Sequence, residues 1–362
     1  MPLVLEKRAE RSTRMALLSP VLAILLTVIT GAIIFALRGI DPLHGLYVYF
    51  IEPLTQLWSL QQLIVKATPL VLIGVGLAVC YTANVWNIGA EGQLTAGAIL
   101  GGMIPVLFPE WQSPLTLLAM LILGIAGGMA YAAIPAVLKT RFSANEILTS
   151  LMLVYVARLL LDWLVRGPWR DPQGFNFPKT ITFSDWQLLP MLWGSVHAGA
   201  LFAVLAAVIL AFVMGRMLKG FEIRVSGSAP RAGRFAGFSR PRTVLFCFLL
   251  SGGLAGLAGI TEVASVVGQL QPQISPDYGF AAIIVAFLGR LNPLGVLVAG
   301  LMLAVSYLGG EAAQVSLGLS DRIAKVFQGI LLFFILGCDT LILYRFRWLK
   351  TQVSATAAQP AE

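Results

Sequence analysis

The chain alternates between long apolar blocks and short polar breaks. The blocks lie near 16–37, 63–83, 93–108, 114–138, 145–165, 199–218, 244–268, 279–290, 293–309 and 323–343. Most approach or exceed about 20 residues, the helix length that crosses a bilayer's hydrocarbon core. Backbone polar groups cannot be left open to lipid, so such blocks fold as helices. The pattern predicts an all-α polytopic membrane protein of about ten transmembrane or partly spanning helices. The blocks 93–108 and 279–290 are too short for a comfortable full crossing and read as short, broken or re-entrant helices. They hold matching places within 63–165 and 244–343, which suggests an internal pseudo-repeat around a central pathway.

Charge sets the orientation. Lys7, Arg8, Arg11 and Arg14 precede the first block. If the N-terminus is cytoplasmic and every block crosses, the 25 Lys and Arg residues divide roughly two to one in favour of the cytoplasm, which predicts N-in, C-in. The first block is longer than a signal-peptide core and lacks a small-residue cleavage site, so it reads as a retained helix. The expected layout is a cytoplasmic tail at 1–15, a transmembrane domain at 16–343 and a cytoplasmic tail at 344–362. An external loop spans 166–198 and a basic cytoplasmic loop spans 219–243. The external loop carries Trp169, Phe175, Phe177 and Trp186, which form either an interfacial belt or a docking surface for an extracytoplasmic partner.

Composition narrows the function classes. The chain is 58% hydrophobic and 12% charged. Its net charge of +8 is explained by cytoplasmic loops and calls for no nucleic acid. Cys80, Cys247 and Cys338 lie in or beside apolar blocks, without metal or redox spacing, and His44 and His197 are the only imidazoles. No metal site is expected. There is no Ser/His/Asp set, no HExxH and no GxxxxGK[ST] phosphate loop. The chain is therefore expected not to be an enzyme and to hold no cofactor, and any ATP is bound and hydrolysed by another chain.

The polar residues inside apolar surroundings are few, and such groups are usually retained for a pathway or a polar interface. Asn84, Asn87, Glu91 and Gln93 fall in one stretch between two apolar blocks. Glu91 reads as a helix-start carboxylate or as a wall of a path. Arg158 and Asp162 are spaced to neutralise each other on one helix. Asn145 and Glu146 follow Ser143, with Ser143 as N-cap and Glu146 completing a capping box, or else as a functional surface. Glu262 either caps an interface or faces a central passage. In the cytoplasmic loop, Ser228 reads as a cap and Pro230 as a first-turn residue. A short helix with Arg231, Ala232, Gly233 and Arg234 follows, and Gly237 ends it. It is either a knob for a partner's socket or an ordinary basic loop.

At these residues the chain resembles a known family. The stretches Asn87-Ile88-Gly89-Ala90-Glu91-Gly92-Gln93, Ser143–Leu153, Gly227–Phe238, Gly256–Val263 and Gly279–Pro293 resemble, in that order, permease subunits of bacterial ABC importers for nucleosides and simple sugars. These belong to the wider ribose and branched-chain amino-acid permease superfamily. The chain departs from the family's usual residues at Ser228, Gly233 and Val154.

The resemblance implies a membrane-spanning importer subunit in the bacterial inner membrane, forming the translocation path for a nucleoside, a nucleobase or a simple sugar and working by alternating access. It implies a heterodimer with a second related permease, an ATPase that itself holds ATP-Mg and docks on the coupling loop, and a periplasmic or lipoprotein substrate-binding protein. Asn84, Asn87, Glu91, Gln93, Asn145, Glu146 and Glu262 are the expected substrate path. Ser228, Pro230, Arg231, Ala232, Gly233, Arg234 and Gly237 are the expected ATPase contact. The competing expectation is an ATP-independent secondary transporter or channel that uses the intramembrane carboxylates.

Overall fold

A computed structural model describes residues 3–7, 13–320, 322, 325–327, 329–330, 333–334, 337–338 and 344–348. The chain divides into two compact units. One joins Met1–Leu43 to Val326–Glu362, and the other is His44–Lys325.

In the first unit, strand β1 (Leu3–Lys7) precedes helix α1 (Thr13–Leu37). The side chains of Phe35 and Phe327 pack with ring centroids 5.4 Å apart, and the Phe327 ring lies against Gly31, where no larger residue would fit.

The second unit is almost wholly helical. A short helix α2 (Pro42–Leu46) leads to a π-turn at Tyr47–Ile51. Then come α3 (Leu57–Thr82), α4 (Ala90–Leu107), α5 (Pro114–Phe142) and α6 (Glu146–Arg166). A long irregular segment contains the small ribbon β2 (Met191–Trp193) and β3 (Val196–His197). After it follow α7 (Gly199–Arg216), α8 (Leu218–Ser228), α9 (Pro230–Phe235) and α10 (Arg240–Glu262), which continues as a π-turn to Val267. The unit ends with α11 (Tyr278–Leu288) and α12 (Pro293–Leu317). Strand β4 (Tyr344–Trp348) belongs to the first unit and pairs antiparallel with β1. The two ribbons are minor additions to the expected all-α class.

Among the described residues six helices are long and apolar enough to cross a membrane: α3, α5, α6, α7, α10 with its π-turn, and α12. The chain is a multi-pass α-helical membrane protein. The helices α4 and α11, with 18 and 11 residues, are short, as the sequence pattern predicts. Helix α12 runs on past the expected end near 309, through Gly309, Gly310 and Glu311, to Leu317. It stops where Gly318 takes the left-handed region (φ 64°), a common way for a helix to end. The block 323–343 lies largely outside the described residues.

Local chemistry sets the helix ends. Ser113 accepts from Leu115 N–H, and Pro114 sits in the first turn of α5, where its missing N–H is harmless. Lys139 and Arg141 lie in the last turn of α5, next to the carbonyl end of the dipole. Asn292 accepts from Leu294 N–H ahead of Pro293 and so starts α12.

Helix α3 is the axis of the unit, with 83% of its most apolar stretch buried; the same stretch of α5, α6 or α7 is 28% buried. Helices α4, α5 and α10 meet along glycines. Gly97 and Gly101 on α4, Gly124 and Gly128 on α5, and Gly252 and Gly256 on α10 are each spaced by four. At each, an added Cβ would strike neighbouring atoms, backbone in most cases. Without a hydrophobic driving force between helices in lipid, such close backbone approach supplies the packing energy. Gly128→Leu is expected to push α5 off α10 and cost at least the roughly 1–3 kcal/mol of an overpacked core, seen as a lower Tm in detergent. Gly215→Ala, with open space around it, is expected to leave Tm unchanged or slightly raised.

Candidate functional site

Between α3 and α4 the chain turns back into the protein. Asn84 adopts a left-handed conformation (φ 53°), one that asparagine tolerates better than most residues, and its Oδ1 accepts from Trp86 Nε1–H. Residues 85–89 are then non-helical. Asn87 is fully buried. Its side-chain amide and that of Gln93 exchange two hydrogen bonds of 2.9 and 3.0 Å, and Asn87 also donates to Ser251 Oγ. Ser251 lies at the middle of α10, so the re-entering segment reaches well into the helical bundle before α4 begins. Irregular backbone at such depth is stable only when surrounded by protein or water. Here Tyr81 hydroxyl donates to Asn87 C=O, and Asn87 Oδ1 accepts from Gly89 N–H.

Helix α4 therefore starts inside the bundle, with Glu91 in its first turn. Helix α11 also starts there, and the two N-termini touch: a Cβ on Gly279 would collide with the Glu91 backbone. The Glu91 carboxylate, 2% exposed, joins them. Its Oε2 accepts from Gly279 N–H at 2.6 Å and from Ser275 Oγ at 3.3 Å. Its Oε1 accepts from Arg158 Nη2 at 3.2 Å. A carboxylate at a helix N-terminus gains from the dipole and the open amides; this one serves two helices at once.

Arg158 extends the network. The same Nη2 reaches Asp277 Oδ1 at 2.5 Å, and its guanidinium carbon lies 5.8 Å from the Phe280 ring centre. Asp277, held in the left-handed region (φ 70°) just before α11, also pairs with Lys325 at 3.2 Å. Two carboxylates and two cations thus alternate from α4 through α6 and α11 to the segment after α12. Beside them is a cavity of about 210 Å³, lined by Glu91, Thr95, Arg158, Gln273, Ser275 and Asp277 among others.

The expected path residues fall into separate places. Asn87 and Gln93 form one buried amide pair, and Glu91 lies in the ion network. Asn84 sits outside both. Asn145 caps α6, accepting from Ile147 and Leu148 N–H, and Glu146 pairs with Lys139. Glu262 is buried at the end of α10.

Several local expectations need correction. Ser143 does not cap α6; it ends α5 with φ 54°, and the cap moves to Asn145, which directly precedes the first helical residue and takes the open amides of the first turn. Asp162 does not pair with Arg158. It binds Arg166 at 2.7 Å, because the buried Glu91 and the half-buried Asp277 take the Arg158 side chain. Ser228 is the last residue of α8 and donates to Arg224 C=O, so α9 starts from Ala229 without a side-chain cap. Pro230 does occupy the first turn of α9, and Gly237 follows it with φ 83°.

Three functional candidates escape sequence reasoning. Asp277 stands alone in an ordinary loop sequence, and Ser251 resembles any small helix residue. Phe235, 95% exposed at the tip of α9, is legible only as an apolar residue out of place in a basic loop. The seat of α9 is polar and built. Glu222 on α8 accepts from Thr243 hydroxyl at 2.6 Å and pairs with Lys219 at 2.9 Å. Lys219 also sits 4.9 Å from the Phe246 ring centre. Burial alone would raise the Glu222 carboxyl, but the Thr243 hydroxyl and the Lys219 ammonium outweigh it and hold it below its ordinary range. Across the protein, on the segment before α7, burial pushes the His197 imidazole down to about 4. Its Nδ1 accepts from Gly199 N–H.

The family described as "Branched-chain amino acid transport system / permease component" matches residues 59–336. The chain belongs to this permease family. It is 37% identical over 339 residues to the glucose ABC transporter permease protein TsgB13 of Haloferax volcanii, covering 90% of this chain and 89% of that one. It is 28% identical over 328 residues to the nucleoside ABC transporter permease protein NupB of Lactococcus lactis, covering 88% and 90%. It is also 28% identical over 332 residues to the guanosine ABC transporter permease protein NupP of Bacillus subtilis, covering 88% and 92%. No solved structure matches the chain. As a permease of this family, the chain is the membrane transport component of an ABC importer rather than an enzyme, and the ATP-independent reading gives way to it.

Two outcomes follow. Arg158→Met leaves Glu91 without its cation, while Asp277 keeps Lys325, and is expected to destabilise the protein by about 3 kcal/mol, the low end for a broken buried pair because Arg158 is partly exposed. Adding Glu91→Gln should restore part of the loss, read as a double-mutant cycle of Tm or denaturant midpoint. The Glu222 contribution is complete above the usual carboxylate range and is lost as the pH falls through and below it. Hydrogen-exchange protection factors of α8 and α9, taken relative to the intrinsic rate at each pH, should fall on acidification from neutral pH, and Glu222→Gln should flatten that dependence.

Proposed function

We propose that this chain forms one wall of the translocation path of an importer for a simple sugar or a nucleoside, in the plasma membrane, with ten crossings and both termini in the cytoplasm. The observation that carries the position of the path is the exposure of its charges. The Arg158 and Asp277 side chains, 38% and 34% exposed, lie partway along a membrane helix and at an interior helix start. Charges at that depth do not face hydrocarbon; they face protein or water. The face carrying them is therefore turned to the path, and the second permease of a heterodimer covers it. The buried Asn87–Gln93 pair fixes the re-entering segment behind this face. Glu262 supports it from α10, while Asn145 and Glu146 anchor the inner end of α6.

The ATPase partner, holding ATP-Mg, docks on the loop 219–243. Helix α9 is its contact, with Arg231, Arg234 and the exposed Phe235 as the projecting groups and Ser228, Pro230, Ala232, Gly233 and Gly237 setting the backbone. A separate extracytoplasmic protein supplies substrate affinity on the side of 166–198. The name of the glucose permease favours a sugar, and those of NupB and NupP favour a nucleoside. ATP-driven closure of the ATPases moves α9, and α8 carries that movement into α7 and α10.

The test is expression with the neighbouring genes, affinity purification and uptake of labelled glucose and guanosine by proteoliposomes. Recovery of an ATPase and a second permease with ATP-dependent uptake supports the proposal; uptake without ATP by the chain alone overturns it. Arg231→Glu with Arg234→Glu, or Phe235→Asp alone, is expected to leave membrane insertion intact and abolish the stimulation of ATP hydrolysis by substrate-loaded binding protein. Glu91→Ala is expected to lower uptake at least tenfold with the complex still assembled, and unchanged uptake would return Glu91 to a purely structural part.

A further inference from the structure

At the far end of α11 from the ion network, three aromatic rings meet where the re-entering segment leaves α3. The Tyr81 and Phe287 rings stack with centres 5.2 Å apart and planes 13° off parallel. The Trp86 indole lies 5.3 Å from Tyr81 and 6.2 Å from Phe287. Polar tips hold the rings in place. Trp86 Nε1–H donates to Asn84 Oδ1 at 3.1 Å, and the Tyr81 hydroxyl donates to Asn87 C=O at 3.1 Å. Trp86 is nevertheless 37% exposed. With its N–H engaged, the indole surface left open is apolar ring.

Two helices place this cluster on the side of the ion network. Phe287 follows Phe280 by seven residues, about two helical turns, so both rings lie on one face of α11, about 10 Å apart along the axis. Phe280 is the ring beside the Arg158 guanidinium. Across from α11, Ile88 N–H donates to Ser150 Oγ on α6, the helix that also carries Arg158. Helices α6 and α11 thus flank both the charges and the rings. A tryptophan that anchors a protein at the membrane interface keeps its polar edge wet. That of Trp86 is turned to Asn84 instead.

What remains open selects the ligand. A free sugar is held through hydroxyls around its rim, and the two donors that these rings carry are both engaged. A nucleobase offers a flat π-face and hydrogen-bond acceptors along an edge. Open ring surface suits the face. Asn84 Nδ2 suits the edge: it belongs to the amide that holds the indole N–H, it is exposed, and among the described residues it makes no hydrogen bond. We propose that Trp86, backed by Tyr81 and Phe287, is a stacking subsite for a nucleobase on the inner half of the transport path, with Asn84 donating to an acceptor of the base. The assignment rests on the importer reading and adds the substrate class, a nucleoside, and the part of it that this chain recognises.

The test is ligand binding by the full chain in lipid nanodiscs, read from initial build-up rates in saturation-transfer NMR with empty nanodiscs subtracted. The probes are guanosine, D-ribose and D-glucose. Transfer to guanosine is expected, faster at the base proton H8 than at the ribose H1′. Trp86→Leu keeps an apolar side chain without a ring and should raise the guanosine Kd about tenfold, within the range of one base–aromatic stack. Trp86→Phe returns a ring and should bind within about threefold of wild type. Asn84→Gly suits the left-handed turn, removes the edge donor and should weaken guanosine severalfold, which keeps the test open if Trp86→Leu does not fold.

Wild-type binding of guanosine by Trp86→Leu or by Asn84→Gly, faster transfer to H1′ than to H8, preferential transfer to either sugar, or no transfer to guanosine would overturn the subsite. ATP-dependent uptake by the assembled importer tests the importer reading by itself. ATP-dependent uptake without base transfer removes only the subsite, whereas uptake without ATP by the chain alone removes the importer reading and leaves the binding result standing.

Discussion

Everything around the candidate site depends on one carboxylate placed where two helices begin. Glu91 accepts from the first turn of α11, sits in the first turn of α4, and neutralises Arg158 from α6. Remove it, and open amides of one helix end and a guanidinium are left at a depth where water is scarce. The sequence supports that placement from behind. Asn87 and Gln93 lock the re-entering segment to Ser251, and Tyr81 stacks on Phe287 with ring centres 5.2 Å apart, tying α3 to the end of α11. Short helices α4 and α11 are thus held at their starts by polar contacts and along their flanks by apolar ones.

The division between polar and apolar cohesion follows the solvent. Between helices in lipid there is little hydrophobic gain from association, so α4, α5 and α10 cohere through glycine-mediated backbone contact. Helix α6 joins them partly through ion pairs and hydrogen bonds, including Arg158 to Glu91 and Tyr131 hydroxyl to Leu153 C=O. Contacts of this second kind can be exchanged for water or substrate; glycine contacts cannot. The polar side of α6 is accordingly the side where a path can open.

Much of this was legible in the chain, for identifiable reasons. Long apolar blocks can only become helices in a bilayer, so helix class and most of the helix positions follow from hydropathy. The Asn84–Gln93 stretch announced itself because amides and a carboxylate are costly between apolar blocks. What the sequence hid was partnership over distance. Arg158 has a plausible neighbour at Asp162, four residues on, and helix geometry alone prefers it. Its real partners are 67 and 119 positions away, and only the fold brings them near. Caps were misread for a related reason. Ser143 and Ser228 have the right side chains, yet each closes the preceding helix, and the next one starts further on, at Asn145 for α6 and at Ala229 for α9. The family match supplied the transport role and left the individual residues to geometry.

The glycine seam also decides how this protein can deform. Where side chains interdigitate, a helix pair has rotamers to reshuffle and can slide by small steps. Where backbone meets backbone at Gly97, Gly128 and Gly256, there are no side chains to rearrange, and any slip is a collision. Helices α4, α5 and α10 therefore behave as one block. A rearrangement of the bundle shifts that block and its neighbours as whole helices rather than by reshuffling side chains inside it.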